Sequence, residues 1–122
     1  MLDQSEVYLF VYGTLKRGHN RHQLLVNEEF VGEAMTEPDY RLVQFDDYPG
    51  LIVSDDMTLA YAVQGELYRV APQTMRQIDI VEGVDEGLFA RRPVKLVDTQ
   101  VCAHTYFFQM PSGGLPDCGP KW

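Results

Sequence analysis

A chain of 122 residues with 45% hydrophobic content is long enough for one hydrophobic core and too short for several. Its formal net charge of −8 opposes nonspecific binding to nucleic acid or to an anionic membrane surface. No apolar run approaches a membrane-spanning length, and residues 1–6 are polar and acidic rather than signal-like, so a single cytoplasmic domain is expected.

Seven Tyr and six Phe fit a strand-rich core. The first element is Val7 to Tyr12. Val7, Leu9 and Val11 alternate with Tyr8, Phe10 and Tyr12, and both sets are apolar. That pattern predicts a strand buried on both faces. It ends at Gly13, and a helix-compatible segment, Asn20 to Val26, follows. A buried strand that runs into a glycine turn presents backbone N–H groups at its mouth, where they can hold an anion. Gly13 and Gly18 have the spacing of a phosphate loop, but His19 and Asn20 stand where Lys and Ser/Thr are needed, so that motif is rejected. His19 and His22 lack a third ligand of the right kind, and a solvent-exposed helix start accounts for them better than a metal site.

Strands are predicted at Phe30 to Ala34 and Tyr40 to Phe45. Asp46-Asp47-Tyr48-Pro49-Gly50 reads as a turn, with Leu51-Ile52-Val53 a short strand beyond it. Ala60 to Val70 is the next long strand. Gly65 inside it marks a bulge or a close neighbour, and Glu66 is a candidate second carboxylate for which an outward-facing strand residue is the favoured reading. Pro72 opens a helix over about Gln73 to Glu82, which Gly83 stops. Its inward stripe is Met75, Ile78 and Val81, with Glu82 on the same face. A carboxylate there is costly to bury unless paired or protonated, so its pKa is expected to rise. Phe89 to Val97 and Val101 to Phe108 predict a hairpin turning near Asp98-Thr99, with Cys102 as a small core residue. From about residue 109 the Pro- and Gly-rich tail is irregular, and Trp122 either docks on the core or is free. Composition and order give an α+β domain with mostly antiparallel pairing.

Tyr12-Gly13-Thr14-Leu15, extended by Lys16-Arg17-Gly18, resembles the signature of the gamma-glutamylcyclotransferase-like family, in particular its small gamma-glutamylamine cyclotransferase branch. Tyr48-Pro49-Gly50-Leu51 and Gly65-Glu66-Leu67-Tyr68 look similar to later family segments. Ile78-Asp79-Ile80-Val81-Glu82 matches the helix that carries the family's catalytic glutamate. The family then has Tyr-x-Arg, where this chain has Phe89-Ala90-Arg91 and so lacks one hydroxyl.

The resemblance implies a small mixed β-barrel flanked by short helices. It implies cyclisation of a γ-glutamyl group to 5-oxoproline with release of an amine, a transferase- or lyase-type reaction that needs no metal or organic cofactor. Glu82 is the implied catalytic residue. Tyr12, Gly13, Thr14, Leu15 and Tyr106 are the implied contacts to a small γ-glutamyl substrate. A binding module without turnover on the same fold is the alternative, and another amide-processing chemistry using the same carboxylate is a third reading.

Overall fold

The computed structural model describes residues 6–122. The expectation for the polar stretch 1–6 therefore lies outside the described residues, except for Glu6. Seven strands form one sheet: β1 (Val7–Val11), β2 (Glu29–Met35), β3 (Tyr40–Phe45), β4 (Tyr48–Val53), β5 (Gln64–Val70), β6 (Phe89–Val94) and β7 (Ala103–Phe108). Among the described residues one helix, α1 (Pro72–Val81), and a 3-10 turn at His22–Leu25 accompany the strands. The order along the sheet is β2-β5-β1-β7-β4-β3, with β6 paired to β7. The pairings β1–β7 and β4–β7 are parallel and the rest antiparallel, so the mostly antiparallel expectation holds.

β1 is central, as its double apolar alternation requires. Leu9 and Val11 pack with Leu25, Tyr68, Met75, Ile78 and Phe108 on the helix side. Phe10 and Tyr12 pack with Leu42, Leu51, Val63 and Phe107 on the other. Fully burying one such side chain contributes about 1.5–3 kcal/mol.

The sheet does not close into a barrel. Among the described residues no ladder joins β2 to β3. The outer side of β3 is taken instead by the tail: Gln44 N–H donates to Pro116 O at 2.9 Å and Cys118 N–H to Leu42 O at 2.8 Å. The tail continues to β5, where Gln64 N–H donates to Pro120 O at 2.7 Å, and Trp122 docks on the core. Prolines supply no N–H, so this segment makes single bridges and not an eighth strand.

Several element boundaries differ from expectation. Tyr48-Pro49-Gly50 is strand, not turn: Phe45 pairs with Tyr48, leaving only Asp46-Asp47 as the loop, and Asp46 takes φ 57°. Asp tolerates that left-handed conformation in a tight hairpin. β5 starts at Gln64 rather than Ala60, with Tyr61 making only a bridge to Tyr40. Val81 is 39% exposed and not part of the inward stripe, while Met75 and Ile78 are buried. Cys102 precedes β7 and is exposed. Glu66 is buried rather than outward-facing.

Gly65 is a close approach. A Cβ there would lie 2.3 Å from Val11 O and 2.7 Å from the Phe10 ring. Because backbone must shift to admit it, Gly65→Ala is expected to cost about 1–3 kcal/mol, read as a lower urea midpoint at unchanged slope. An unchanged midpoint would show that the β1–β5 contact yields freely.

Candidate active site

Three carbonyls of the loop after β1 are occupied. Gly13 O accepts from Lys16 N–H at 3.0 Å, Thr14 O from Arg21 N–H at 2.8 Å, and Leu15 O meets His22 Nδ1 at 3.0 Å. Among the described residues the N–H groups of Gly13, Thr14 and Leu15 donate to no protein group. The loop thus offers donors without competing acceptors, which suits an anion or a developing oxyanion.

Glu66 holds the far end of this loop. Its carboxylate accepts from Arg17 N–H at 3.0 Å, Arg17 Nε at 3.2 Å and Tyr68 hydroxyl at 3.0 Å. Burial pushes the Glu66 carboxyl upward, but these donors outweigh it and hold the group below its ordinary value. Below that lowered pKa the anchor is lost, so this contribution to stability fades as pH falls.

Glu82 arrives from the opposite side. It is the residue just past α1, its N–H donating to Ile78 O at 2.8 Å, and Gly83 follows at φ 71°, as a helix stop requires. The helix start is fixed by Glu28, which accepts from Ala71 N–H at 2.8 Å and Thr74 hydroxyl at 2.9 Å. A carboxylate there also complements the helix dipole. Glu82 is 8% exposed. Burial pushes its carboxyl above the ordinary value, and the Arg21 guanidinium, with Nη1 3.1 Å from Oε2, only partly offsets this.

One cavity of about 20 Å³ is lined by Tyr12, Gly13, Thr14, Leu15, Arg21, Tyr48, Pro49, Glu82 and Tyr106 among others. All six residues singled out from the sequence border it. A wider cleft of about 650 Å³ lies across the same loop, lined by Arg17, Glu66 and Trp122 among others, and does not reach Glu82.

Two hydroxyls do more structural work than the sequence suggested. Tyr12 hydroxyl donates to Tyr106 O at 2.6 Å and accepts from Leu51 N–H at 3.1 Å. It fills the point where β7 leaves β1 (Leu9↔His104) for β4 (Leu51↔Phe107). Tyr106 hydroxyl donates to Asp79 Oδ1 at 2.6 Å, and Asp79 also takes both Arg91 Nε at 2.9 Å and Nη2 at 3.1 Å. Burial pushes both phenols well above their ordinary range, so both stay protonated. Phe89 packs between Tyr48 and Phe108, ring centroids 6.1 and 5.7 Å away, and is not among the cavity-lining residues.

A family model described as gamma-glutamyl cyclotransferase, AIG2-like, matches residues 9–121. The chain belongs to this family. The protein named "Putative gamma-glutamylcyclotransferase" in Vibrio cholerae is 38% identical over 76 residues, 62% of each chain. Gamma-glutamylaminecyclotransferase of Rattus norvegicus is 32% identical over 83 residues, 62% of this chain and 54% of the relative. Both matches span less than two thirds of the relative's length. The crystal structure of an AIG2-like protein from Mus musculus shares the fold at TM-score 0.76 and 24% identity, covering 93% of this chain and 86% of that one.

Arg21 is the cavity residue that sequence reasoning missed. The segment Asn20 to Val26 reads only as a short helix, and no spacing rule ties Arg21 to Glu82, which lies 61 residues away. Tyr48 and Pro49 lie in the Tyr-Pro-Gly-Leu run, so their neighbourhood was flagged though not their contact with the cavity.

Proposed function

We propose that this gamma-glutamyl cyclotransferase family member converts a γ-glutamyl amide to 5-oxoproline and a free amine. The observation that carries the reading is one cavity bordered both by three unpaired amides at Gly13 to Leu15 and by the buried Glu82 carboxylate. Glu82 takes a proton from the substrate's α-ammonium, and the freed nitrogen attacks the γ-carbonyl carbon of the same molecule. The loop amides hold the carbonyl oxygen as it gains negative charge. Glu82 then passes its proton to the departing nitrogen as the C–N bond breaks. Of the three ammonium protons, one stays on the lactam nitrogen and two end on the amine, which leaves protonated at neutral pH. Because nucleophile and electrophile belong to one molecule, holding the chain bent lowers much of the barrier. The gamma-glutamylaminecyclotransferase name of the rat relative supports an amine as leaving group.

The test is a panel of γ-glutamylamines assayed for 5-oxoproline across pH. Since the working form of Glu82 is the anion and burial raises its pKa, kcat/KM is expected to climb with pH through a limb above the ordinary carboxylate range. An acid limb at or below that range would take the base role away from Glu82. Binding without any product would favour a non-catalytic binding module, a reading supported by the Arg21 contact that already engages the Glu82 carboxylate.

A further inference from the structure

We propose that Arg21 is the substrate-recognition residue for the α-carboxylate, and that the zwitterionic head of the γ-glutamyl group binds by inserting between Arg21 and Glu82. The inference deepens the cyclotransferase reading and rests on it for the identity of the ligand.

The cavity is lined by one cation, Arg21, and one anion, Glu82, among the described residues. Tyr12, Tyr48 and Tyr106 are the other titratable groups that line it, all phenols with raised pKa values, burial being the largest cause for each. The pair touches through a single contact, Nη1 to Oε2 at 3.1 Å. Arg21 makes no other side-chain hydrogen bond among the described residues, so most of its five donors remain free. Glu82 Oε1 likewise takes no protein donor there.

An α-amino acid head carries an ammonium and a carboxylate on one carbon. Inserted between the two side chains, it offers donors to Glu82 and acceptors to the Arg21 fork. One ion pair becomes two, and the buried charge still sums to zero. That makes desolvation oppose binding less than it would for an uncompensated charge. It also moves Glu82 from a guanidinium, which cannot give up a proton usefully, to the ammonium it must deprotonate.

The cavity is partly open to solvent, but at about 20 Å³ it admits roughly one water. The head group therefore fits only when a lining side chain gives way. Gly13 to Leu15 are tied through their carbonyls, and Pro49 is in a strand. The Arg21 side chain is 38% exposed, against 9% for Glu82, and is free to swing. Its backbone stays pinned to the loop by the bond from its N–H to Thr14 O. The guanidinium thus moves about a fixed base beside the unpaired amides.

The experiment compares γ-L-glutamyl-n-butylamide with 4-aminobutyryl-n-butylamide, which has the same amine and amide but no α-carboxylate. Wild type is expected to prefer the first in kcat/KM by about 10- to 100-fold, the range for a hydrogen-bonded charge. Arg21→Met is expected to raise KM for the first substrate by a similar factor beyond any loss the two substrates share through the Glu82 carboxyl, and so to erase the preference. Equal losses on both substrates would overturn the proposal and leave the cyclotransferase reading intact. A wild type that binds the first probe by NMR without making 5-oxoproline would end the catalytic reading, and the same comparison made on Kd would then decide the role of Arg21. If neither probe binds, both ideas fall. Should Arg21→Met not fold, Arg21→Lys keeps the charge that neutralises Glu82 but loses the planar fork. It is expected to weaken only the γ-glutamyl probe, and unchanged constants for both probes would overturn the assignment.

Discussion

Glu82→Gln is expected to lower 5-oxoproline formation by about 10²–10⁴-fold at saturating substrate, with the protein still folded. Glutamine keeps the size of the side chain and an acceptor for Arg21 but cannot take a proton near neutral pH. The stability of the variant gives an independent reading of the same group. In the native state the Glu82 carboxyl is raised above its unfolded value by burial. Its contribution to folding is therefore fully present below the unfolded pKa and is lost as pH rises through the folded one. Glutamine carries no such dependence, so the variant should gain on wild type as pH rises through that window. Chemical denaturation at several pH values measures this. Turnover within a few-fold of wild type at equal folded fraction would retire the proton-shuttle role, whatever the stability shows.

Gly13→Val is expected to cost more in ligand affinity than in folding. The constraint at Gly13 is proximity rather than backbone angle, since it is not among the positive-φ glycines. A Cβ there would lie 2.6 Å from Pro49 Cγ and 3.1 Å from Pro49 Cδ. The Pro49 ring is rigid and in β4, so the loop is the part that yields, carrying the unpaired amides away from the cavity. We expect a folding cost of about 1–3 kcal/mol, the range for overpacking. Loss of aligned hydrogen bonds to a charged or developing oxyanion should weaken γ-glutamyl binding by at least ~10-fold. Gly13→Ala, with one carbon added, should fall between. Normal binding by a folded Gly13→Val protein would remove the loop from the site.

Both variants test residues that were legible in the sequence, and the reason is local. The proposed role of Gly13 to Leu15 is suggested by a buried strand meeting a turn, and that of Glu82 by its phase on an apolar helix face together with the family resemblance. Each signal spans a dozen residues or fewer. Arg21 is different. No acidic residue stands at helical pairing distance from it, and its significance comes only from a partner on another element. Glu66 was misread for a related reason. Strand alternation says which face a residue takes, but not that the far end of the Gly13 loop would fold back and bury that face under Arg17.

The family followed from the resemblance of spaced motifs; local pattern along the chain was enough to place the central strand with its two apolar faces, the helix and its glycine stop, and the β6–β7 hairpin. These depend on periodicity and on backbone preferences of Gly and Pro, which act over a few residues. That the sheet stays open is a long-range outcome, because it depends on what meets the outer side of β3, and a proline-bearing tail from far along the chain takes it. Only the tertiary structure placed the Tyr12 hydroxyl in the gap where β7 passes from β1 to β4, and Arg21 against Glu82. Those contacts join residues 39 to 94 positions apart, and their geometry is set by how packed elements converge rather than by any pattern along the chain.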